Sequence, residues 1–322
     1  MRPTGRLHLG HYHGVLKNWV ALQNEFDCFF FVADWHALTT HYEEDSDTIS
    51  QNVWEMVVDW LAVGVDPSRA TMFIQSRVPE HAELNLLLSM MTPLSWLERV
   101  PSYKDQQSKL KEKDLSTHGF LGYPVLQAAD ILLYHAMQVP VGEDQVPHIE
   151  LTREIARRFN YLYGPILSEP EAILTEACKL PGLDGEKMSK SYRNTISLRD
   201  DPARIEKEVR GMPTDPARVR RNDPGDPNKC PVWQLHHVYS NEETRNWAEQ
   251  GCQTAAIGCI DCKQPLIESL LVEQKEIAER AEPYIKDSTL VRNVIADGTE
   301  KAREVADETM EQVRSAMNLD YY

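Results

Sequence analysis

Cys28-Phe29-Phe30-Phe31-Val32-Ala33 and Ala70-Thr71-Met72-Phe73-Ile74-Gln75 are two short apolar runs with sequence of a different period between them. Each has the length and the aromatic and β-branched content of a strand buried on both faces. In between, residues 49–63 place apolar side chains at Val53, Met56, Val57, Trp60 and Leu61, and spacings of three and four put these on one helix face. Strand, crossover helix and strand make one β-α-β unit with parallel strands. The same alternation runs through roughly the first 190 residues, so the expected fold class is α/β with a parallel sheet. From about residue 200 the strand signal gives way to charged, helical sequence, interrupted by the stiff turn Asp223-Pro224-Gly225-Asp226-Pro227. A domain change is expected just after Ser191. The last helix is expected over residues 299–319, with Ala302, Val305, Ala306, Met310, Val313, Ala316 and Met317 along one face and Gly298 as punctuation before it.

A chain of 322 residues is long enough for two domains and a sizeable core. No apolar run approaches the ~18 residues of a membrane span, and the opening Met1-Arg2-Pro3-Thr4-Gly5 lacks the charged, apolar and small-residue regions of a secretory signal. The expectation is a cytoplasmic protein with no membrane partner. A formal charge of -16 excludes binding to DNA or RNA by bulk electrostatics, because neutralising phosphates takes clustered Lys and Arg. Any nucleic-acid contact must be local, and Arg218-Val219-Arg220-Arg221 and the lysines between Lys187 and Lys190 are the local basic places.

His8-Leu9-Gly10-His11 stands immediately before the helical pattern of Val15, Trp19 and Leu22, so its amides and imidazoles lie at a helix start, where phosphate is favoured. Gly10 admits close approach of a ligand, and two histidines three apart can donate to developing phosphoryl charge. Gly185-Glu186-Lys187-Met188-Ser189-Lys190-Ser191 follows the turn-rich Pro181-Gly182-Leu183-Asp184. Two lysines and two hydroxyls on a loop able to close suit a triphosphate. Each motif alone reads equally as solvated surface; the pair, in this order across an α/β domain, does not.

With both motifs present the chain resembles the class I aminoacyl-tRNA synthetases, whose signatures are matched by His8-Leu9-Gly10-His11 and, in full, by Lys187-Met188-Ser189-Lys190-Ser191. The resemblance narrows to the tryptophan-specific branch over Tyr123-Pro124-Val125-Leu126-Gln127-Ala128-Ala129-Asp130, Gly142-Glu143-Asp144-Gln145 and the C-terminal segment from Lys301 to Leu319, and it covers essentially the whole chain. It implies a Rossmann-type catalytic domain over 1–196, with an insertion at about 75–140 that joins a homodimer, a helical anticodon-binding domain over 197–285, and a C-terminal helix over 286–322 packed back on the body. It implies ATP and Mg2+ as cofactors, L-tryptophan and tRNA(Trp) as partners, and His8, His11, Lys187 and Lys190 as catalytic groups. The ATP site would draw on Thr4, Gly5, Gly10, Gly142, Asp144, Met188, Ser189 and Ser191 besides those four, and the tryptophan site on His36, Tyr123, Gln127, Asp130, Val141 and Gln145.

The residues support part of this independently. Tyr123, Gln127 and Asp130 are four and three apart and share one helix face. An aspartate in an apolar helix needs a donor, and an indole N–H is a donor only, which makes Asp130 the expected specificity residue; the alternative is a buried Asp bonded to backbone. His36 follows the first apolar run, at the carboxyl end of the sheet where open α/β folds bind ligands.

Cys230, Cys252, Cys259 and Cys262 form the pattern C-x21-C-x6-C-x2-C, while Cys28 and Cys178 lie elsewhere. Four thiolates suit tetrahedral zinc or an iron-sulfur cluster, and spacing alone does not choose. The resemblance to a subset of the bacterial tryptophan enzymes implies a [4Fe-4S] cluster, with zinc as the lesser alternative. Arg218, Arg220, Arg221, Lys229 and Lys263, beside this pattern, are candidates for RNA contact. Family members usually carry a short strand ending in Ser-Gly before the segment matching Met1-Arg2-Pro3-Thr4; either the true start lies upstream or the chain is a shortened one, and losing that strand would leave ladder groups unpaired in the expected sheet. Rival readings are a tyrosyl-tRNA synthetase, a small-molecule nucleotidylyltransferase and a non-catalytic iron-sulfur RNA-binding paralogue.

Overall fold

The computed structural model describes residues 1–43, 46–101, 116–174 and 180–321. Part of the expected insertion, and Cys178, lie outside the described residues. The β-α-β unit forms as the apolar pattern predicts. Strand β1 (Cys28–Val32) pairs in parallel with β2 (Ala70–Ile74), register Cys28 to Ala70 through Val32 to Ile74, across helices α1 (Asp34–His41) and α2 (Ser46–Ala62). Helix α2 turns Val53, Met56, Val57, Trp60 and Leu61 into the core, and Trp60 is fully buried against Trp19, which stacks on Phe30 of β1.

A second parallel pair, β3 (Gln138–Val141) with β4 (Glu171–Leu174), is not hydrogen-bonded to the first. The expected single sheet is thus two pairs, and a cavity of about 790 Å³ lined by Phe29, Phe31, Val139, Pro140 and Ile173 lies at their junction. Met1 lies alongside β1: its ammonium donates to the Phe31 carbonyl at 2.7 Å, and the Ala33 N–H donates to the Met1 carbonyl at 2.8 Å. Burial pushes the Met1 amine down to about 5.

Helices α3 (Glu80–Ser89), α4 (His118–Leu132) and α5 (Val146–Tyr163) pack together through Leu84, Leu88, Val125, Leu132, Ile155 and Phe159. Beyond the lysine loop the described chain is helical: α6 (Pro202–Gly211), α7 (Pro231–Tyr239), α8 (Glu242–Gln253), α9 (Cys259–Lys286) and α10 (Ser288–Ala316). Helix α9 lies on α2 and α6, burying Leu266, Ile267, Leu270 and Ile277. Among the described residues, no helix is long and apolar enough to cross a membrane.

The last helix begins earlier than its sequence punctuation predicts. Gly298 is inside α10, and a Cβ built on it would stand 2.0 Å from the backbone oxygen of Met72. The glycine marks the contact between α10 and β2 and does not stop the helix; Ala302, Ala306, Met310 and Val313 continue that buried stripe. Since backbone cannot yield as a flexible side chain does, Gly298→Ala should destabilise the fold by about 3 kcal/mol, measured as a lowered urea midpoint at unchanged slope.

Candidate active site

The two signature segments meet through a short antiparallel contact. Leu198 N–H donates to the Leu7 carbonyl at 3.1 Å, Leu9 N–H donates to the Ile196 carbonyl at 3.0 Å, and His8 lies opposite Ser197. Leu9–His11 forms a three-residue helix that passes directly into a π turn, Tyr12–Leu16, a rare geometry concentrated at functional sites. The rings of His8 and His11 lie 3.8 Å apart. A Cβ on Gly10 would stand 3.0 Å from the His8 ring, so a side chain there would crowd the pair. The amides expected to receive phosphate are largely spent: His8 N–H donates to His11 Nδ1 at 3.3 Å, and His11 N–H to the His8 carbonyl at 2.8 Å.

Lys190 reaches the same place. Its ammonium donates to the Gly5 carbonyl at 2.7 Å, beside the turn in which Thr4 N–H bonds to the Arg2 carbonyl. Burial pushes Lys190 down to about 8, with Asp59 opposing. Burial and the nearby Lys190 charge push His8 down to about 4, and burial, His8 and Lys190 hold His11 well below the usual histidine range. Both imidazoles are thus neutral at pH 7 and supply N–H donors, while positive charge comes from the lysines. Met188 is buried and anchors the loop; its N–H donates to the Leu180 carbonyl at 3.0 Å. Asn194, which the sequence reading missed, is a further staple: its Oδ1 accepts from Ser189 N–H at 2.8 Å and its Nδ2 donates to Asp184 and to the Lys187 carbonyl. The Lys187 side chain is exposed. Ser191 continues the turn, its side chain outside the described residues.

A cavity of about 380 Å³ gathers His36, Tyr123, Gln127, Asp130 and Gln145, with Arg2, Phe120 and His148 among its other walls. Tyr123, Gln127 and Asp130 come from one face of α4, as their spacing predicts. His36 comes from α1, directly after β1, and Gln145 from the turn Glu143–Gln145 that follows β3. Val141 ends β3, opposite Leu174, and does not itself line this cavity. Gly142 opens the turn, and a Cβ built on it would stand 2.9 Å from Asp144 Oδ1, the tip of an exposed side chain that can turn aside. Asp144 is exposed and accepts from Gln145 Nε2 at 2.9 Å.

Asp130 is 5% exposed and carries three donors at 2.7 Å. Gln75 Nε2 and His81 Nδ1 donate to Oδ1, and His36 Nε2 donates to Oδ2. Tyr134 completes the relay, its hydroxyl 2.7 Å from His81 Nε2. The partners are side chains, where the bland expectation was backbone. Oδ2 has one partner, which leaves it acceptor capacity toward the cavity. Gln75 and His81 were invisible to sequence reasoning, since no spacing links them to Asp130.

The sequence profile of the tRNA synthetases class I (W and Y) matches residues 1–271. The chain belongs to this family. It is 57% identical to the tryptophan–tRNA ligase of Ralstonia nicotianae over 391 aligned residues, covering 100% of this chain and 98% of that protein. Identity to the tryptophan–tRNA ligase of Thermotoga maritima is also 57%, over 321 residues and 99% and 98% of the two chains. The crystal structure of the tryptophanyl-tRNA synthetase of Campylobacter jejuni, complexed with ADP and tryptophan, superposes with a TM-score of 0.89 at 33% identity, over 99% of this chain and 98% of that one.

Within this class I chain the four cysteines converge. Cys230 caps α7, Cys252 lies in α8, and Cys259 and Cys262 lie in the first turn of α9. Burial pushes the Cys262 thiol up to about 12, with the charges of Cys230, Cys252 and Cys259 adding to it. Cys230 and Cys252 are raised by burial too, and Arg218, whose Nη1 lies 3.8 Å from Cys252 Sγ, works in the opposite sense on Cys252. Among the described residues, however, no group of three or more His, Cys, Asp or Glu is arranged to hold a metal ion.

Two of the five basic residues expected at an RNA surface are internal. The Lys263 ammonium is buried and donates to the carbonyls of Arg210 and Met212 at 2.8 and 2.6 Å, closing the end of α6. Arg218 is buried and donates to the carbonyls of Arg221 and Ile257. Arg220, Arg221 and Lys229 are exposed.

Burial opposes ionisation of Asp130, but His36 and His81 outweigh it and hold the carboxyl down at about 2. A depressed carboxyl stabilises the fold above its unfolded value of about 3.9, and that stability is lost as pH falls through the folded value. Between pH 5 and pH 2, wild-type protein should lose about 2 kcal/mol more stability than Asp130→Asn, measured by urea denaturation across the range.

Proposed function

We infer that this chain is a tryptophan–tRNA ligase: it activates L-tryptophan with ATP to tryptophanyl-adenylate and transfers the acyl group to tRNA(Trp). The observation that carries this reading is the Asp130 cavity, which unites five side chains from three separate segments beside an acceptor-only carboxylate suited to an indole N–H. His36, Gln127 and Val141 would shape the indole side, and Tyr123 and Gln145 would hold the ammonium and carboxylate of the amino acid. Gly142 and Asp144 would take the ATP ribose. Thr4, Gly5, Gly10, Met188, Ser189 and Ser191 would frame the phosphates.

In the first step a carboxylate oxygen of tryptophan attacks the α-phosphorus of ATP, and the bond to the bridging oxygen breaks as pyrophosphate leaves. In the second a terminal ribose hydroxyl of the tRNA attacks the acyl carbon and releases AMP. Mg2+, when bound, would share the phosphate charge. His8 and His11 donate N–H groups to the phosphates, and Lys190 and Lys187 place positive charge where the transition state gathers negative charge. The domain division at 196 and 285 assigns activation to the first part and anticodon binding to the second. Exposed Leu86, Met90 and Leu94, within the 75–140 insertion, supply an apolar face for a homodimer. The reading places the protein in the cytoplasm.

Pyrophosphate exchange should proceed with tryptophan and not with tyrosine. Lys187→Ala should lower its kcat at least tenfold with tryptophan affinity little changed; the reverse pattern would remove Lys187 from the transition state. Exchange with tyrosine alone would make the chain a tyrosyl enzyme, and exchange with neither would favour a non-catalytic paralogue.

Cys230, Cys252, Cys259 and Cys262 are the proposed ligands of a [4Fe-4S] cluster, with zinc as the alternative. The donor set is all thiol, half-buried and close enough for mutual charge effects, as soft-metal sites require. Such a centre would give its thiols a reason to ionise inside the protein. Anaerobically purified protein should show a broad band near ~400 nm that is lost in Cys259→Ser. A colourless protein with one bound zinc would select the alternative, and a metal-free protein would reject both.

A further inference from the structure

Helix α2 carries one charged residue on its buried face, Asp59, which is 2% exposed among Met56, Val57, Trp60 and Leu61. A buried ion pair seldom adds net stability over apolar packing, so its presence asks for another reason. Asp59 Oδ1 accepts from Arg199 Nε at 2.7 Å, and Arg199 also bonds to Glu55, one turn earlier on α2. Leu7 lies on the same small cavity as Asp59, Glu55 and Arg199. Leu7 and Arg199 flank the antiparallel contact described above, in which Leu7–Leu9 leads into His8 and His11 and Ile196–Leu198 follows the lysine loop. One carboxylate therefore bonds to the segment that follows the lysine loop and lies beside the segment that leads into His8. A cavity of about 130 Å³ lined by Arg6, Leu7, Glu55, Asp59, Ser197, Leu198 and Arg199 lies beside it, room enough for a few waters.

We propose that Asp59 is a positioning residue for adenylate formation, a clamp whose bond to Arg199, with Leu7 beside it, holds His8, His11 and Lys190 in one register. Among the described residues the two segments are joined directly by the Leu198–Leu7 and Leu9–Ile196 backbone bonds and by Lys190 to the Gly5 carbonyl, and the Asp59–Arg199 pair ties this contact to α2. The charge acts on the same group: Lys190 faces Asp59 from α2, Arg2 from the opening segment, and His8 and His11 from the signature turn, and Asp59 is the anion among them. Burial pushes Asp59 up to about 6 with Arg199 opposing, so the carboxylate is ionised at neutral pH.

The proposal rests on the activation chemistry inferred above, and its test has one arm that does not. Asp59→Asn should lower kcat of tryptophan-dependent pyrophosphate exchange roughly 10- to 100-fold, with KM for tryptophan within about twofold of wild type, as misplaced catalytic groups do. Asp59→Glu should recover part of that loss. Independently of turnover, labelling of Lys190 with an amine-reactive reagent, read by mass spectrometry across pH, should show its midpoint moved below the wild-type value in Asp59→Asn. Wild-type kcat together with an unmoved Lys190 midpoint in a folded Asp59→Asn would overturn the clamp. Should Asp59→Asn fail to fold, Asp59→Glu and Arg199→Lys carry the same two readouts, and wild-type values in both would overturn it equally. If wild-type protein exchanges with neither amino acid, the activation reading fails, while the labelling still decides whether Asp59 governs Lys190.

Discussion

An ionised carboxylate cannot be buried alone, and the requirement that Asp130 be supplied with donors organises the α/β part of this protein. Its three donors are brought by separate elements: His36 by the helix that follows β1, Gln75 by the turn that ends β2, and His81 by α3. Satisfying one side chain therefore fixes the carboxyl ends of both strands against two helices. That is also where the cavity opens, so the constraint that holds the fold and the feature that would select a ligand are the same group. Polar networks of this kind are costly when incomplete and specify one arrangement when complete.

The second organising contact is non-local. Residues 7–9 and 196–198 are brought side by side although most of the first half of the chain separates them in sequence. It places neutral imidazoles next to a lysine whose ammonium is itself partly desolvated. Such a group of mutually lowered bases is poor for stability and suited to meeting a polyanion, whose arrival would restore the charges that burial suppresses.

The helical half is tied to the same machinery. His13, in the π turn after His11, lies 2.8 Å from the Tyr239 hydroxyl and 3.1 Å from Glu273 of α9, and Lys17 reaches the other oxygen of Glu273 at 3.4 Å. Helix α10 returns to press Gly298 on β2, and its Arg314 forms a two-bond pair with Glu83 of α3, at 2.7 and 2.6 Å.

Sequence by itself determined the elements and the chemistry they carry. Period and apolar run length gave β1, β2 and the core face of α2; spacing alone put Tyr123, Gln127 and Asp130 on one wall; the two signature motifs, read together, pointed to the family. Those signals are local, because backbone periodicity and short-range spacing are set by neighbours along the chain. Tertiary structure alone decided the rest: that Gly298 serves close packing where the sequence suggested a helix boundary, that Lys263 and Arg218 face inward to carbonyls, that burial and Lys190 hold His8 and His11 below the usual histidine range, and that Gln75 and His81 bond to Asp130 and Asp59 to Arg199. Each of these depends on a partner tens of residues or more away, and the energy of burying a polar group is set by that partner and not by the residue's own sequence.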